Sequence, residues 1–222
     1  PHRKRKPGIK FEHLPPIDVV IISHNHYDHM DMPTLKKLKN EHDPLFIVPL
    51  GNKKLMDKKG LTRNIELDWW DEYYYKDEHK ITLVPAEHFS MRGLCDRNTT
   101  LWGGYMLQSK KGNIFFAGDT GFSDHFQEIK DRFGEIYFSL IPIAPIEPRW
   151  LMEGVHLSPE EAVKAHLILK SKKSMGIHFG TFQQADDPQT LAIDLLRKAL
   201  MKYNVSPQEF MLLPHGKLYD MN

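Results

Sequence analysis

The most informative stretch of this chain reads Val19-Val20-Ile21-Ile22-Ser23-His24-Asn25-His26-Tyr27-Asp28-His29. An apolar run typical of a buried strand leads directly into three imidazoles and a carboxylate within six residues. The alternation can direct His24 and His26 to one metal ion, and Asp28 and His29 to a second. Imidazole and carboxylate ligands suit zinc, and they also bind iron or manganese. The alternative is a surface turn that happens to carry polar side chains.

Histidine and aspartate recur at the ends of other apolar runs, which argues against a simple surface turn. His88 follows the run 81–84, Asp119 follows 114–118, and His178 follows 175–177. Because such runs predict strands, one end of a sheet is expected to collect metal ligands.

Short apolar runs alternate with helical patterns, which predicts an α/β fold. The predicted strands are 18–23, 45–48, 81–86, 101–108, 113–117, 136–141, 174–177 and 210–213. The predicted helices are 33–40, 124–133, 190–203 and one that begins at the capping box Ser158-Pro159-Glu160-Glu161.

Length and composition indicate a single domain over residues 1–222. The chain has 222 residues, 41% of them hydrophobic, which suits a single core. Its formal net charge of +1 argues against a dedicated nucleic-acid binder. No apolar run is long enough to span a bilayer, and no signal-peptide pattern is visible. A cytoplasmic or peripheral membrane location is therefore expected.

The first thirteen residues carry a basic cluster, His2-Arg3-Lys4-Arg5-Lys6. We expect this terminus, residues 1–13, to be solvated and mobile. The alternative is contact with phosphate headgroups or nucleic acid.

The motifs taken together closely resemble the metallo-β-lactamase fold superfamily and, within it, the N-acylphosphatidylethanolamine-hydrolysing phospholipase D family. Besides the stretch 23–29, the resemblance is carried by Leu67-Asp68-Trp69-Trp70, Leu101-Trp102-Gly103, Phe115-Phe116-Ala117-Gly118-Asp119-Thr120-Gly121, Glu147-Pro148-Arg149-Trp150, Pro159-Glu160-Glu161-Ala162-Val163 and Ile177-His178-Phe179-Gly180-Thr181-Phe182. It implies an αββα sandwich whose first strands precede this chain, so that the chain is expected to be the later part of a longer protein. A homodimer is implied by the resemblance alone.

The resemblance also implies a metal-ligand set. His24, His26 and His88 would bind one ion, Asp28, His29 and His178 the other, and Asp119 would bridge them. Two divalent cations about 3.5–4 Å apart would hold a bridging hydroxide as the nucleophile and clamp phosphoryl oxygens. Zinc is the expected metal, with iron or manganese as alternatives.

Two further side chains are candidates for proton transfer. His156 matches a histidine that the family places near its substrate, and it could assist the departing alkoxide; the alternative is a turn residue. Asp28 could bind metal through one oxygen and orient the nucleophile with the other.

Phosphate binding is predicted for three arginines, Arg149, Arg92 and Arg97, because guanidinium groups pair bidentately with phosphate. The alternative for each is an internal salt bridge. Trp150 is predicted to help wall a substrate pocket, although core packing is the commoner role of tryptophan.

The leading hypothesis is a dinuclear metal-dependent phosphodiesterase that converts an N-acylphosphatidylethanolamine to N-acylethanolamine and phosphatidic acid. The substrate is implied by the resemblance. A lactonase or other small-ester hydrolase is the alternative; a nuclease or a non-catalytic, metal-stabilised binding protein is less favoured.

Overall fold

The computed structural model of the protein describes residues 2–76 and 78–221. Strands in these ranges are β1 (His2–Arg3), β2 (Val19–Ile21), β3 (Leu45–Pro49), β4 (Asn64–Leu67), β5 (Glu72–Tyr75), β6 (His79–Val84), β7 (Gly104–Ser109), β8 (Gly112–Phe116), β9 (Phe138–Pro142), β10 (Lys173–Ile177), β11 (Phe182–Gln183) and β12 (Phe210–Met211). Helices are α1 (Met32–His42), α2 (Lys53–Lys58), α3 (His125–Phe133), α4 (Arg149–Met152), α5 (Pro159–Leu169) and α6 (Leu191–Lys202).

Two sheets form the centre of the molecule, a larger mixed sheet and a smaller parallel sheet. The larger sheet has the order β12-β10-β9-β8-β7-β6-β5, parallel from β12 to β8 and antiparallel from β8 to β5. The smaller sheet is parallel, with the order β2-β3-β4. A separate antiparallel ribbon joins β1 to β11.

Alternating side chains along each strand divide the apolar residues into three layers. In β3, Leu45 and Ile47 face the larger sheet, whereas Phe46 and Val48 pack beneath α1 and α2. In β7, Tyr105 lies between the two sheets, whereas Met106 packs beneath α3, α5 and α6. The predicted αββα sandwich is confirmed; the strands expected ahead of this chain stay a prediction.

The predicted capping box at the start of α5 is present. Ser158 Oγ accepts a hydrogen bond from the Glu161 backbone N–H, and Glu161 accepts one from the Ser158 backbone N–H. Because both donors would otherwise be unpaired, this arrangement fixes where α5 begins. No helix in the described ranges has the length and apolar character needed to cross a bilayer.

The structure contains elements that the sequence patterns did not predict: α2, α4, β4, β5, β1 and β11. The basic N terminus lies against the chain after β10; its expected mobility stays a prediction. Arg3 pairs with Phe182, and the Lys4 backbone N–H donates to the Thr181 carbonyl over 2.8 Å. The sequence did not predict β1 and β11, because backbone pairing with a distant segment leaves no local pattern.

Tyr105 joins the two sheets through its buried hydroxyl. The hydroxyl lies 3.0 Å from the carbonyl oxygen of Ile22 and 3.2 Å from that of Ile47. Burial raises the pKa of this hydroxyl well above its ordinary value, so it remains a donor. It therefore holds the end of β2, and with it the following histidine loop, against the larger sheet.

Replacement of Tyr105 by Phe is expected to lower the free energy of unfolding by about 1–3 kcal/mol, because it removes the hydroxyl that donates to the buried Ile22 carbonyl oxygen; the Ile47 oxygen keeps the Ile22 backbone N–H. Urea unfolding of the metal-loaded protein measures the change. Tyr74→Phe is the matched control, since Tyr74 is exposed and its hydroxyl donates to Glu72 Oε2. Equal losses from both substitutions would contradict the account.

Candidate metal centre

The loop after β2 carries four of the predicted donors and is held in place by its neighbours. The Asn25 side chain donates to Thr100 Oγ1 over 3.0 Å and accepts from the Met91 backbone N–H over 3.0 Å. Arg92 donates to the carbonyl oxygens of Asn25 and Met30 over 2.7 and 2.9 Å. These bonds leave the histidine side chains of the loop directed inward.

His24, His26 and His88 form a first trio of donor atoms, as predicted. His24 Nε2 lies 2.8 Å from His26 Nδ1, and His88 Nε2 lies 3.3 Å from the same atom. The side chains of His24 and His88 are each 1% exposed. Three imidazole nitrogens, two from buried histidines and one from the partly buried His26, converge on one point, which is the arrangement that a metal ion requires.

Asp28, His29 and His178 form a second trio. Asp28 Oδ2 lies 3.1 Å from His29 Nε2 and 3.6 Å from His178 Nε2, and the two imidazole nitrogens are 3.1 Å apart. Gln184 donates to Asp28 Oδ2 over 2.6 Å. The sequence offered no signal for Gln184, because its contact depends on how the chain folds after β10.

Asp119 lies between the two trios. Its Oδ2 is 4.0 Å from His24 Nε2 and 3.9 Å from His88 Nε2 on one side, and 3.2 Å from His29 Nε2 on the other. Its Oδ1 is 3.3 Å from His178 Nε2. The structure thus brings all seven predicted donors together and places the carboxylate of Asp119 within reach of both trios.

Gly118 allows this close approach. Its φ is +65°, and a Cβ at this position would lie 2.8 Å from Ser23 Cβ and 3.0 Å from the Gly103 carbonyl oxygen. A side chain here would therefore separate Asp119 from the loop after β2.

The remaining ring nitrogens are oriented by hydrogen-bonding groups of the fold. Ser23 Oγ lies 3.0 Å from His24 Nδ1, His88 Nδ1 lies 2.9 Å from the Val155 carbonyl oxygen, and His178 Nδ1 lies 2.8 Å from that of Ala144. Such bonds fix the ring orientation and tautomer of a metal ligand. Ser23 was not predicted as a site residue, although its place before His24 could have suggested one.

The pKa values of the histidines shift in opposite directions in the two trios. In the first trio, burial lowers the pKa of all three histidines: that of His24 falls well below its usual value, and that of His88 falls to about 3. In the second trio, burial acts in the same direction but is outweighed. The charge of Asp119, with hydrogen bonds to Asp119 and Asp28, raises the pKa of His29 to about 10, and the pKa of His178 is also raised.

Both carboxyl groups remain anionic. Burial favours the neutral acid, but His178 and His29 outweigh it and hold the pKa of Asp28 and of Asp119 far below the ordinary value. Within the described residues, Asp119 Oδ1 is buried and accepts no hydrogen bond. An anionic oxygen without a hydrogen-bond donor, surrounded by imidazole nitrogens, suits divalent cations, so the residues present fit the metals that the motifs imply.

His156 also faces the centre. Its Nδ1 lies 3.9 Å from Asp119 Oδ2, is buried, and has no hydrogen-bond partner in the described part of the chain. Burial lowers the pKa of His156 to about 4. His88, Asp119 and His156 also place one ligand atom each within 4.8 Å of one another, so metal binding is a second possible role for His156.

Arg149 positions His156. Its guanidinium donates to the His156 carbonyl oxygen over 2.9 Å and to Glu161 Oε2 over 2.5 Å. This is the internal ion pair that the sequence left open as the alternative to phosphate binding. A phosphate could use this guanidinium only by displacing those partners.

The other predicted substrate residues lie around the centre in different settings. Arg92 is engaged with two carbonyl groups and lies 4.1 Å from the Tyr27 ring centroid. Arg97 lies 4.2 Å from the Phe89 ring centroid, and Phe89 in turn contacts His26 and His88. Trp150 is 78% exposed on α4. Their substrate roles stay predictions.

Metal uptake by the two trios is expected to differ in proton release. At pH 8, His29 holds a proton in the metal-free protein because its pKa is raised to about 10, whereas the histidines of the first trio are already neutral. Metal binding requires a free lone pair, so filling the second trio should release roughly one to two protons and filling the first none. Lower pH should therefore weaken binding at the second trio first.

Isothermal titration with zinc at pH 8, in buffers of different ionisation enthalpy, measures this release. His29→Gln, which retains the first trio, serves as the control and should bind one ion with no buffer dependence. Equal proton release on binding of the first and the second ion, or no release on binding of either, would contradict the predicted difference between the two trios.

Comparison with known proteins supports this interpretation of the site. A family model described as the beta-lactamase superfamily domain matches residues 1–179. A protein named N-acyl-phosphatidylethanolamine-hydrolyzing phospholipase D 1 from Caenorhabditis elegans is 38% identical over 232 aligned residues, covering 99% of this chain and 65% of the nematode protein. A mitochondrial N-acyl-phosphatidylethanolamine-hydrolyzing phospholipase D from Saccharomyces cerevisiae is 37% identical over 176 residues, covering 76% of this chain. The chain spans less than two thirds of either relative, 37% in the yeast case.

Solved structures show the same fold at low sequence identity. Isothiocyanate hydrolase from Delia radicum gut bacteria has a TM-score of 0.74 at 15% identity, covering 94% of this chain and 78% of that structure. Igni18, a metallo hydrolase from Ignicoccus hospitalis, has a TM-score of 0.69 at 18% identity, covering 91% and 78%. The chain therefore belongs to the beta-lactamase superfamily domain family, and its metallo-β-lactamase fold is close to that of the N-acylphosphatidylethanolamine-hydrolysing phospholipases D.

Proposed function

We propose that this chain forms the metal centre of a dinuclear phosphodiesterase of phospholipase D type, acting on N-acylphosphatidylethanolamine-like lipids. The observation that carries the proposal is the placement of Asp119 between two trios of donors. The nematode and yeast relatives, whose names state this activity, support the substrate class. Zinc is the proposed metal, with iron or manganese as alternatives.

Two divalent ions held by the trios would supply a water of lowered pKa and would draw charge from the phosphoryl oxygens. The protein's own contribution is to hold the donors in place and to handle protons. Asp119 provides the buried negative charge between the trios. Asp28 has its Oδ2 among the donors of the second trio, so its other oxygen can accept a hydrogen bond from the attacking water.

His156 is proposed to assist the leaving group. A neutral imidazole can donate one N–H, and Nδ1 of this residue lies near Asp119 with no other partner in the described residues. The proton that the attacking water loses could pass through this neutral imidazole to the departing alkoxide, so that the alcohol leaves protonated and the ring ends neutral. Arg149 would act through His156 by holding its backbone carbonyl.

The alternative function is hydrolysis of a lactone or another small ester, since the same water could attack a carbonyl carbon. A nuclease is less favoured because the net charge is only +1. A non-catalytic, metal-stabilised binding protein would use the same donors, but it gives no role to His156. Peripheral contact with a membrane and a homodimer stay predictions; the exposed Trp150 and Leu151 on α4 would suit the former.

Hydrolysis of N-acylphosphatidylethanolamine in H₂¹⁸O tests the proposal. Attack of water at phosphorus breaks the bond to the ethanolamine oxygen, so phosphatidic acid should carry the label and N-acylethanolamine should carry none. The experiment uses purified full-length protein with its metal and mass spectrometry of both products. Label in a free fatty acid would indicate ester hydrolysis, and the absence of lipid products with a lactone cleaved instead would favour the alternative.

His156→Ala is expected to lower kcat by about 10²- to 10⁴-fold, the usual contribution of a general acid, without changing metal content. Elemental analysis and steady-state kinetics on the lipid measure both quantities. His79→Ala is the control, because His79 is exposed at the start of β6. Loss of a metal ion together with activity would instead make His156 a ligand alongside His88 and Asp119.

A further inference from the structure

The basic N-terminal segment lies beside the second trio. Because β1 pairs with β11, its Arg3 lies opposite Phe182, two residues before Gln184. Gln184 is bonded to Asp28 Oδ2 over 2.6 Å. The ribbon is therefore tied to the edge of the metal centre by a direct contact with one of its ligands.

Arg3 and Lys4 line different sides of this ribbon. Arg3 lines a cleft of about 650 Å³ together with Tyr27, Asp28, His29, Asp31, Thr34, Leu35 and Phe182. Lys4 lines an adjoining pocket whose wall includes His178 and Gln184. Lys4 directly follows β1, and successive residues of an extended segment point to opposite faces, which explains how neighbouring cations reach both sides. The volume of the cleft is in the range of small-ligand sites.

The guanidinium of Arg3 is oriented but carries no compensating charge. It lies 4.6 Å from the Phe182 ring centroid and donates to the Arg5 carbonyl oxygen over 3.3 Å. No carboxylate of the described residues lies within 4.0 Å of the charged nitrogens of Arg3 or Lys4. Arg149, by contrast, is paired with Glu161.

The two carboxylates of the cleft are engaged elsewhere. Asp31 caps α1, accepting from the Thr34 backbone N–H over 3.0 Å and from its hydroxyl over 2.5 Å. Asp28 belongs to the second trio. With both anionic groups committed, Arg3 is left as a cation facing a cleft that opens onto the metal donors. A planar, stacked guanidinium in that position suits phosphate oxygens.

We propose that Arg3, supported by Lys4, forms an anion subsite that binds the phosphate group of the substrate and of its phosphatidic acid product. The inference rests on the proposed function for its ligand. It assigns phosphate recognition to Arg3 and Lys4 beside the metal centre. The sequence had predicted phosphate binding for Arg149, Arg92 and Arg97, and had left contact of the basic cluster with phosphate headgroups as an alternative.

Binding of dihexanoylphosphatidic acid to the metal-loaded, full-length protein tests the subsite by isothermal titration. Arg3→Ala should weaken binding about 10- to 100-fold, as expected for loss of hydrogen bonds to a charged group. Arg3→Lys, which keeps the charge but not the planar fork, should give an intermediate loss. Lys6→Ala is the matched control, an exposed cation of the same basic cluster, and should change affinity less than about 2-fold.

Two further measurements make the result specific. Metal content should be equal in all variants, and affinity for N-acylethanolamine, the product without phosphate, should be unaffected by Arg3→Ala. Equal effects of Arg3→Ala and Lys6→Ala, or a wild-type protein that binds no phosphatidic acid, would overturn the subsite. An equal loss of affinity for phosphatidic acid and for N-acylethanolamine in Arg3→Ala would also overturn the subsite.

The subsite and the proposed function can fail separately. If the ¹⁸O experiment shows no phosphodiester hydrolysis but Arg3→Ala selectively weakens phosphatidic acid binding, the subsite stands and the activity does not. If hydrolysis gives labelled phosphatidic acid and Arg3→Ala changes neither KM nor phosphatidic acid binding, the activity stands and the subsite is wrong.

Discussion

The buried charge of Asp119 is the constraint on which this structure depends. A carboxylate that is 2% exposed must be compensated, because the free energy of burying an isolated anion is strongly unfavourable. Here the compensation comes from His29 and His178, whose pKa values are raised, and one oxygen is left without a hydrogen-bond donor in the described residues. The site is therefore arranged for cations that complete the charge balance.

The donors come together because the strands that precede them all end at the same edge of the two sheets. The loop after β2 supplies four donors, and the segments after β6, β8 and β10 supply one each. Tyr105 joins the two sheets beneath this point, so the loop after β2 and the larger sheet keep a fixed separation. Gly118 then permits the close approach that a side chain would prevent.

The sequence predicted which seven side chains the fold brings together, because each follows an apolar run and such runs indicate strands that meet at a sheet edge; their role as metal ligands stays a prediction. It predicted α5 because Ser158 and Glu161 form a local capping motif. It missed α2, which has only two apolar residues among six, and β1, whose pairing with β11 joins segments far apart in sequence. Local patterns cannot report such long-range pairing.

The same limit applies to the arginines. A guanidinium suits phosphate wherever it occurs, but its partner is chosen by tertiary structure. Glu161 engages Arg149, carbonyl groups engage Arg92, and Arg3 is left facing the cleft. Pairing of this kind, together with the contact from Gln184 to Asp28, becomes visible only when the chain is folded.

The central claim is that two metal ions occupy the two trios and share Asp119. Anomalous diffraction from crystals of the metal-loaded protein, recorded at the absorption edge of the bound metal, tests it most directly. The account predicts one peak among His24, His26 and His88 and a second among Asp28, His29 and His178, with Asp119 contacting both. A single peak, or a second ion held by His156 in place of either trio, would contradict it.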